Sequence, residues 1–408
     1  MKKYWKFAAT IVVIVLSIGT YQVNSAKSAK QYPEFVIKTL SGDANEIKPL
    51  VLEGAYTDTT AMNYVNTNLK IASDGSTFTN RSFLNQVIGQ PPTMIKELQE
   101  EYRTFMRGKT SQVSSFFEDN QILAYADIDF NMGSLRLRDF KFDISVLSKV
   151  DGHTESFTVE VPDSGELEDV YVEDIQMIEG ELNLITQNIR ENNDDFFDEK
   201  HIYTIDMANQ KIINHEAIIK VPHGQDDKSF DVQLIRTSPK KANEHLIIVK
   251  TERKVIKDAE SIREEVINQE ILSYNLATKK KERITVPDLR LDENQLSFFD
   301  GSTIYFMTLD GVGQKLVVTP YSLADNQIES AFNLQLFGEK DIVYGQMTTV
   351  KDGKLYVASS QMTPKIKADV IVADARSGET LFKGQLALEG SPKEKANFEL
   401  YINEMYVN

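Results

Sequence analysis

The residues best suited to binding lie in one short acidic and aromatic segment, ENNDDFFDE at residues 191–199. Five carboxylates surround two phenylalanines in it. Clustered carboxylates can bind hard cations or basic partners, whereas such runs are usually solvated loops. Aromatic anchors beside charged residues are the usual parts of a protein interface. We therefore predict a loop that binds a partner through Asp194, Asp195, Phe196, Phe197 and Asp198.

A second segment, DIDFNMG at 127–133, spaces Asp127, Asp129 and Asn131 like the first three ligands of an EF-hand calcium loop. Its glycine comes one position too late, and the twelfth position is Arg138, where a bidentate glutamate is needed. Apolar residues alternate with the polar ones, which is typical of a strand entering a hairpin. We therefore predict a strand here and no calcium site.

The sequence contains no recognisable catalytic or cofactor-binding motif. We find no G-x-S-x-G, no P-loop and no glycine-rich dinucleotide fingerprint. The absence of cysteine excludes a disulfide scaffold, thiolate metal sites and a cysteine nucleophile. The five histidines form no HExxH motif or close pair that would indicate zinc. No cofactor, metal or catalytic residue is therefore assigned from the sequence.

The elements that position these residues are β-strands, because one pattern recurs along the chain. A turn followed by four or five alternating or apolar residues indicates a strand. The copies are DNQILAYAD at 119–127, EGELNLITQ at 179–187, NEHLIIVKT at 243–251, DGSTIYFMT at 300–308 and DGKLYVASS at 352–360.

Each copy is followed by a strand, a short polar turn and another strand. We place Asp143, Asp206, Asn275 and Asp374 at the same position before that turn, where a short side chain can accept an amide hydrogen bond. A leading strand precedes each copy, which gives four strands per unit without intervening helices. This rhythm predicts an all-β fold, a seven-bladed β-propeller. A pair of β-sandwiches is the alternative.

The two ends of the chain favour the propeller. Residues 35–54 repeat the strand-turn-strand unit and mirror residues 370–390, whereas residues 398–407 resemble two inner strands. We therefore predict one blade shared between the N- and C-termini, which closes the ring and removes open sheet edges. Seven blades follow from this blade, an irregular unit near 55–112, and units at about 113–162, 166–222, 228–289, 292–335 and 338–390.

The hairpin VIVADARSGETLF resembles the aspartate-turn-glycine hairpins of bacterial propellers of the quinoprotein-like and YVTN-like groups. The resemblance is generic and implies the fold alone. Those quinoprotein propellers have a docking tryptophan in most blades, whereas the one tryptophan here is Trp5. No functional residue is carried over.

One helix interrupts the strands, PPTMIKELQEEYRTFMRG at 91–108. Met94, Leu98, Tyr102 and Met106 recur every four residues, and Gly108 suits the C-terminal end. An amphipathic stripe is normally a core face, so we predict that the helix packs against its own propeller. A helix that docks a partner is the alternative.

The first 26 residues differ from the rest and predict an export signal. A basic start is followed by a charge-free run of 20 residues with an apolar centre. Because roughly 20 apolar residues span a bilayer, residues 1–26 are expected to be either a membrane anchor or a cleaved signal peptide, with a linker at 27–34. Lys2, Lys3 and Lys6 favour a cytoplasmic N-terminus. Residues 35–408 are then expected on the outer side of the membrane, or in the medium if the signal is cleaved.

Charge and loop position then limit the function. A net charge of −16 disfavours nucleic acid and anionic lipid surfaces as partners of the domain. Two long insertions, at 191–199 and 252–265, occupy the same joint of neighbouring units and are expected to project side by side. We therefore predict a binding, sensor or scaffold protein with a cell-envelope protein as its partner. A secreted hydrolase or lyase with an active site on the propeller axis is the alternative, and the oligomeric state is left open.

Overall fold

The structure is a computed structural model. It describes residues 32–59, 66–78, 91–133, 136–192, 195–225, 227–235, 237–257, 262–286, 296–310, 315–336, 345–389 and 397–407. The predicted anchor therefore lies outside the described residues. In the described part of the chain, no helix combines the length and hydropathy needed to cross a bilayer.

The described chain consists mostly of antiparallel β-strands, so the predicted all-β class is confirmed. The first strands are β1 Glu34–Gly42, β2 Leu50–Asp58, β3 Asn66–Ala72, β4 Gly75–Phe78, β5 Phe116–Glu118, β6 Ile122–Met132, β7 Leu137–Ser148, β8 Thr154–Glu160, β9 Leu167–Ile178, β10 Glu181–Asn192, β11 Asp195–Asp206, β12 Lys211–Pro222, β13 Gly224–Gln225 and β14 Lys228–Leu234. The remaining strands are β15 His245–Lys257, β16 Ile262–Asn275, β17 Lys280–Ile284, β18 Leu296–Phe299, β19 Thr303–Leu309, β20 Lys315–Ser322, β21 Gln327–Ile328, β22 Phe332–Gln335, β23 Gln346–Lys351, β24 Lys354–Ser359, β25 Gln361–Met362, β26 Asp369–Asp374, β27 Thr380–Glu389 and β28 Phe398–Val407. A single α-helix of the described residues, α1, spans Thr93–Glu101.

The chain divides into two compact units, of which the larger holds residues 91–308 and 318–331. Its sheets follow the chain: β5–β8 form sheet 2, β9–β12 sheet 3, β13–β17 sheet 4 and β18–β21 sheet 5. Consecutive strands pair antiparallel, as expected of hairpins joined by short turns. The predicted units at 113–162, 166–222 and 228–289 each correspond to one sheet.

Neighbouring sheets of the larger unit share apolar cores. Phe142 of sheet 2 and Tyr203 of sheet 3 lie in one core, with ring centroids 4.9 Å apart. Ile202 of sheet 3 packs with Leu246 of sheet 4 in the next core, and Ile247 of sheet 4 packs with Phe306 of sheet 5 in a third. Sheets 3 and 4 therefore bury both of their faces, which explains the nearly continuous apolar runs in their strands.

The smaller unit holds residues 1–90, 309–317 and 332–408, and combines strands from both ends of the chain. In sheet 1 the order is β25-β28-β2-β3-β4, and in sheet 6 it is β1-β27-β26-β24-β23. Two details of the sequence prediction are wrong. The strands β1 and β2 do not form a hairpin, because β1 pairs with β27 and β2 with β28. Residues 398–407 form one strand rather than two.

The described residues form six sheets, one fewer than the predicted count of blades. The difference lies in the predicted irregular unit near 55–112. Its described strands, from β2 to β4, belong to sheet 1 with β28, and the described residues that follow hold the helix α1.

The predicted aspartate turns are confirmed at three positions. The Asp374 carboxylate accepts from the amides of Arg376 and Ser377 at 3.1 and 2.7 Å, and these donors hold its pKa below the ordinary value. Asp206 and Asn275 accept in the same way from the amides three residues on. Asp143 is wrong, because it lies within β7 opposite Asp127.

The helix α1 is shorter than predicted and packs against sheet 2. It ends at Glu101, since Tyr102 leaves the helical conformation with φ −114° and ψ 46°. The chain then turns so that Phe105 and Met106 join Ile95 and Leu98 in a core shared with sheet 2. The tertiary packing of these side chains overrides the continued helical pattern of the sequence.

Candidate functional site

Three long β-hairpins in the larger unit extend beyond the strands beside them. The β10–β11 hairpin pairs out to Asn192 and Asp195, whereas the neighbouring β9 ends at Leu167, opposite Arg190. The β6–β7 and β15–β16 hairpins also extend beyond their neighbours. The pairing of β8 with β7 stops at Lys141 of β7, and the pairing of β14 with β15 stops at Lys254 of β15. We call residues 128–133, 136–141, 189–192, 195–198, 252–257 and 262–267 the hairpin edge.

The hairpin edge corrects the predicted nature of both insertions. Residues 195–199 are not a loop, because they begin β11 and pair with β10. Residues 252–257 and 262–265 likewise continue β15 and β16. Both segments were predicted as charged insertions between the second and third strands of their units, and in the structure those strands extend into them as a paired hairpin.

The predicted binding residues differ in how accessible they are. Asp195 is exposed and Phe196 is 44% exposed. Phe197 lies under the Lys220 ammonium, whose Nζ is 4.3 Å from the ring centroid. The Asp198 carboxylate contacts His223 Nδ1 at 3.2 Å and accepts from Gln187 Nε2 at 3.1 Å. Asp194 lies outside the described residues.

Contacts bring the three hairpins to the same end of their sheets. Arg136, beside the β6–β7 tip, pairs with Glu168 at 3.0 Å and with Glu191 of the β10–β11 hairpin at 3.7 Å. Residues 223–227 connect the β10–β11 hairpin with the β15–β16 hairpin. The His223 amide donates to the Phe196 carbonyl at one end, and the Val255 amide donates to the Asp227 carbonyl at the other. Five residues span at most about 18 Å, so Phe196 and Val255 lie near each other.

The hairpin edge carries a set of exposed apolar side chains, of which the sequence predicted Phe196 alone as a binding residue. Phe130 and Met132 alternate with polar residues and were therefore assigned to a strand that enters a hairpin, whereas Ile262 lay in the charged insertion at 252–265. The overlooked signal was strand length, because β6 is much longer than its neighbour β5, and β16 is much longer than its neighbour β17. The exposed members are Phe130 at 41%, Met132 at 81%, Phe196 at 44%, Ile262 at 71%, Val266 at 39% and Ile267 at 49%.

A buried charged cluster lies at the base of the β10–β11 hairpin. The Glu199 carboxylate, 5% exposed, accepts from Arg190 Nε at 2.8 Å and contacts His201 Nδ1 at 3.3 Å. Burial alone would raise the pKa of Glu199, but the hydrogen bonds and charges of His201 and Arg190 lower it below the ordinary value. Burial lowers the pKa of His201. The cluster therefore holds an ionised Glu199 beside a neutral imidazole.

The histidines of this cluster do not complete a metal site. His201 Nε2 faces His215 Nδ1 at 3.3 Å, and the Tyr203 ring stacks on both imidazoles. In the described ranges no group of three or more histidine, aspartate or glutamate side chains is arranged to hold a metal ion. The arrangement fits a structural role, orienting and stiffening the base of the hairpin.

The segment that resembles a calcium loop is a strand, as predicted. Residues 127–131 lie within β6, where Asp127 accepts from the Tyr125 hydroxyl at 3.1 Å. The Asn131 amide donates to Asp139 at 3.1 Å across the hairpin. The Asn131–Asp139 contact thus joins the two strands of the hairpin, whereas the Asp127 contact lies within β6.

Comparisons with known proteins identify no family. Neither the models of protein families nor the curated proteins gave a match. Among solved structures, cobalt-substituted Synechocystis ACO aligns with a TM-score of 0.40 and 8% identity, covering 88% of this chain and 96% of that one. TolB from Acinetobacter baumannii gives 0.28 and 11%, covering 87% and 80%, and the nidogen/laminin complex gives 0.29 and 10%, covering 86% and 96%. At these scores the similarities carry no argument about function.

Proposed function

We propose that this protein is a membrane-anchored, extracytoplasmic β-propeller that binds a cell-envelope protein through the hairpin edge. The observation that carries the proposal is the set of six exposed apolar side chains on three adjacent hairpins. Isolated exposed apolar residues need no explanation, but a group of them on one edge is typical of an interaction site. A sensor, a scaffold or an accessory subunit would all use such a surface.

The chemistry of the hairpin edge suits a protein partner. Phe130, Phe196 and Met132 belong to the residue types enriched at interfaces. Around them lie charges of both signs, with Glu191 and Asp195 on one hairpin and Arg263 and Glu265 on another. A mixed rim of this kind favours a protein surface over a nucleic acid, whose recognition needs a predominantly basic patch. The paired strands supply a rigid support for these anchors.

The propeller arrangement is proposed from the packing within each unit and from the terminal strands. Four consecutive sheets of the larger unit share cores pairwise, in the order of the chain. In the smaller unit, β28 completes the sheet of β2–β4 and β1 completes the sheet of β26 and β27. Exchange of terminal strands is a way of closing a ring of blades without leaving sheet edges open.

The location is proposed from the N-terminal segment. We expect the full-length protein to sediment with membranes and to be digested when intact cells are treated with protease, because Lys2, Lys3 and Lys6 retain the N-terminus inside. Fractionation and immunoblotting measure both properties, with a cytoplasmic protein as the control for cell integrity. Soluble protein that begins near residue 27 and is found in the culture medium would contradict the anchor.

The binding proposal predicts the effect of removing two exposed anchors. We expect Met132→Ser combined with Phe196→Ser to reduce capture of an envelope protein at least about tenfold, because hot-spot residues each contribute roughly 2 kcal/mol or more. The measurement is quantitative cross-linking in intact cells, followed by purification and mass spectrometry of the captured protein.

The matched control is Val150→Ser, which removes an apolar side chain of 84% exposure from the β7–β8 turn at the other end of sheet 2. The control is expected to retain the partner, and all variants are expected to unfold at the parent's temperature. If the double variant captures the same protein in the same amount as the parent, the hairpin edge is not the binding surface.

A further inference from the structure

A cleft of about 560 Å³ lies at the end of sheet 2 opposite the hairpin edge. One wall is the segment that follows α1, and the other is formed where β7 meets β8. Tyr102, Phe105 and Leu147 supply apolar surface, and Thr154 and Ser156 supply hydroxyl groups. None of these residues belongs to the hairpin edge or to the charged cluster of sheet 3.

Three cationic side chains line this cleft, Arg103, Arg107 and Lys109. Within the ranges that the structure describes, none of the three forms an ion pair with a carboxylate. The one acid of the lining, Glu101, is hydrogen-bonded to Tyr102. In a chain with a net charge of −16, a cleft with an excess of positive charge is an exception.

Lys109 is held in place by two aromatic rings and a hydroxyl group. Its Nζ lies 4.6 Å from the ring centroid of Phe105 and 4.3 Å from that of Tyr125, and donates to Ser145 Oγ at 2.9 Å. Burial lowers the pKa of Lys109, although the charge of Asp143 opposes this. Asp143 offsets the desolvation of this ammonium only in part, and a bound anion would offset it further.

The hydroxyl groups continue the hydrogen bonding from Lys109 into the cleft. Ser145, 3% exposed, lies 2.9 Å from Ser156 through the two Oγ atoms. A protonated lysine is a donor without acceptor capacity, so Ser145 accepts from Lys109 and can donate to Ser156. Ser156 then presents its own hydrogen to the cleft, where an acceptor completes the chain.

We propose that this cleft binds a small organic oxyanion, a carboxylate or a phosphate bonded to an apolar group. The oxyanion accepts from Ser156 and is held by the guanidinium groups of Arg103 and Arg107, which match planar oxyanions. Lys109 donates to Ser145 and thereby polarises the hydrogen bond between Ser145 and Ser156. The apolar part of the ligand packs against Tyr102, Phe105 and Leu147.

The test uses the detergent-solubilised full chain with two probes, phenyl phosphate and benzoate, which separate the two kinds of head group. We expect one of them, titrated by calorimetry, to bind at least about tenfold more weakly to Arg107→Gln and to Ser156→Ala. Both side chains are exposed in the free protein, so these variants are expected to fold normally. Arg376→Gln removes an exposed arginine from the β26–β27 turn and is the charge-matched control.

A second measurement follows the ammonium itself. Bound probe is expected to slow the acetylation of Lys109 by acetic anhydride at least about fivefold in mass spectrometric peptide maps, whereas the exposed Lys365 reacts at an unchanged rate. The proposal is overturned if neither probe binds the parent chain. It is also overturned if Arg376→Gln weakens binding as much as Arg107→Gln, since that outcome means general charge attraction.

Discussion

A chain that lacks residues 396–408 is expected to lose the native fold of its smaller unit. In sheet 1, β28 lies between β2 and β25, so its removal exposes a long edge of β2. It also removes Phe398, Leu400 and Ile402, each at most 4% exposed. Burial of such side chains is worth about 1.5 to 3 kcal/mol each, and their sum approaches the total stability of a typical domain, roughly 5 to 15 kcal/mol.

Urea unfolding followed by circular dichroism measures this loss. Because a truncation is a large change, a matched pair of full-length variants isolates the cause. Leu400→Ser changes a fully buried side chain of β28, whereas Tyr401→Ser changes one that is 41% exposed in the same strand. We expect Leu400→Ser to lower the unfolding midpoint strongly and Tyr401→Ser to leave it nearly unchanged. A truncated chain that unfolds at the parent's midpoint would show that β28 is dispensable.

Breaking the buried charged cluster of sheet 3 is expected to have the second largest effect. Arg190→Met removes the guanidinium that contacts Glu199 Oε2 at 2.8 Å and leaves the buried carboxylate with His201 and the partly exposed Lys220 beside it. Breaking a buried pair from one side typically costs about 3 to 5 kcal/mol. The free energy of unfolding in urea measures this cost. The matched control is Arg136→Met, whose ion pair with Glu168 is largely exposed and is expected to contribute less than about 1 kcal/mol.

The same variant has a predicted pH dependence. In the folded parent the pKa of Glu199 is lowered below its ordinary value of 4.5, so the stabilisation by its carboxylate is present above that pH and is lost as the pH falls through the folded-state pKa. The difference in the free energy of unfolding between the parent and Arg190→Met is therefore expected to be largest near pH 7 and to become smaller on acidification. A difference that is the same at pH 7 and pH 4 would exclude the ion pair as its cause.

Local sequence patterns were sufficient for the repeated hairpins. Asp374 and Asp206 are close to the amides they bind, so a few residues determine each turn. The bounds of sheets 2 to 4 were predictable for the same reason, because consecutive strands pair with each other. The exchange of terminal strands was partly predictable: β28, from the end of the chain, joins the sheet of β2–β4, and β1, from its beginning, joins the sheet of β26 and β27.

Features that depend on distant partners were not predictable from local patterns. Residues 35–54 alternate like a hairpin, yet β1 pairs with β27, more than 300 residues along the chain. Nothing in the local pattern distinguishes a hairpin from two strands that enter different sheets. Glu199 was likewise assigned to the charged segment at 191–199, because alternating polar residues do not reveal that this carboxylate is buried. Apart from Phe196, the exposed apolar side chains of the hairpin edge were missed, because exposure depends on where adjacent strands stop.

The central claim is that the hairpin edge contacts another protein of the cell envelope, and site-specific photocross-linking tests it most directly. A photoreactive phenylalanine analogue at position 196 replaces a ring that is 44% exposed, and the same analogue at position 150 probes the opposite end of sheet 2. After irradiation of intact cells, we predict one dominant cross-linked species at position 196 and none of it at position 150. Cross-linking to the same protein from both positions, or no cross-link from position 196, would contradict the claim.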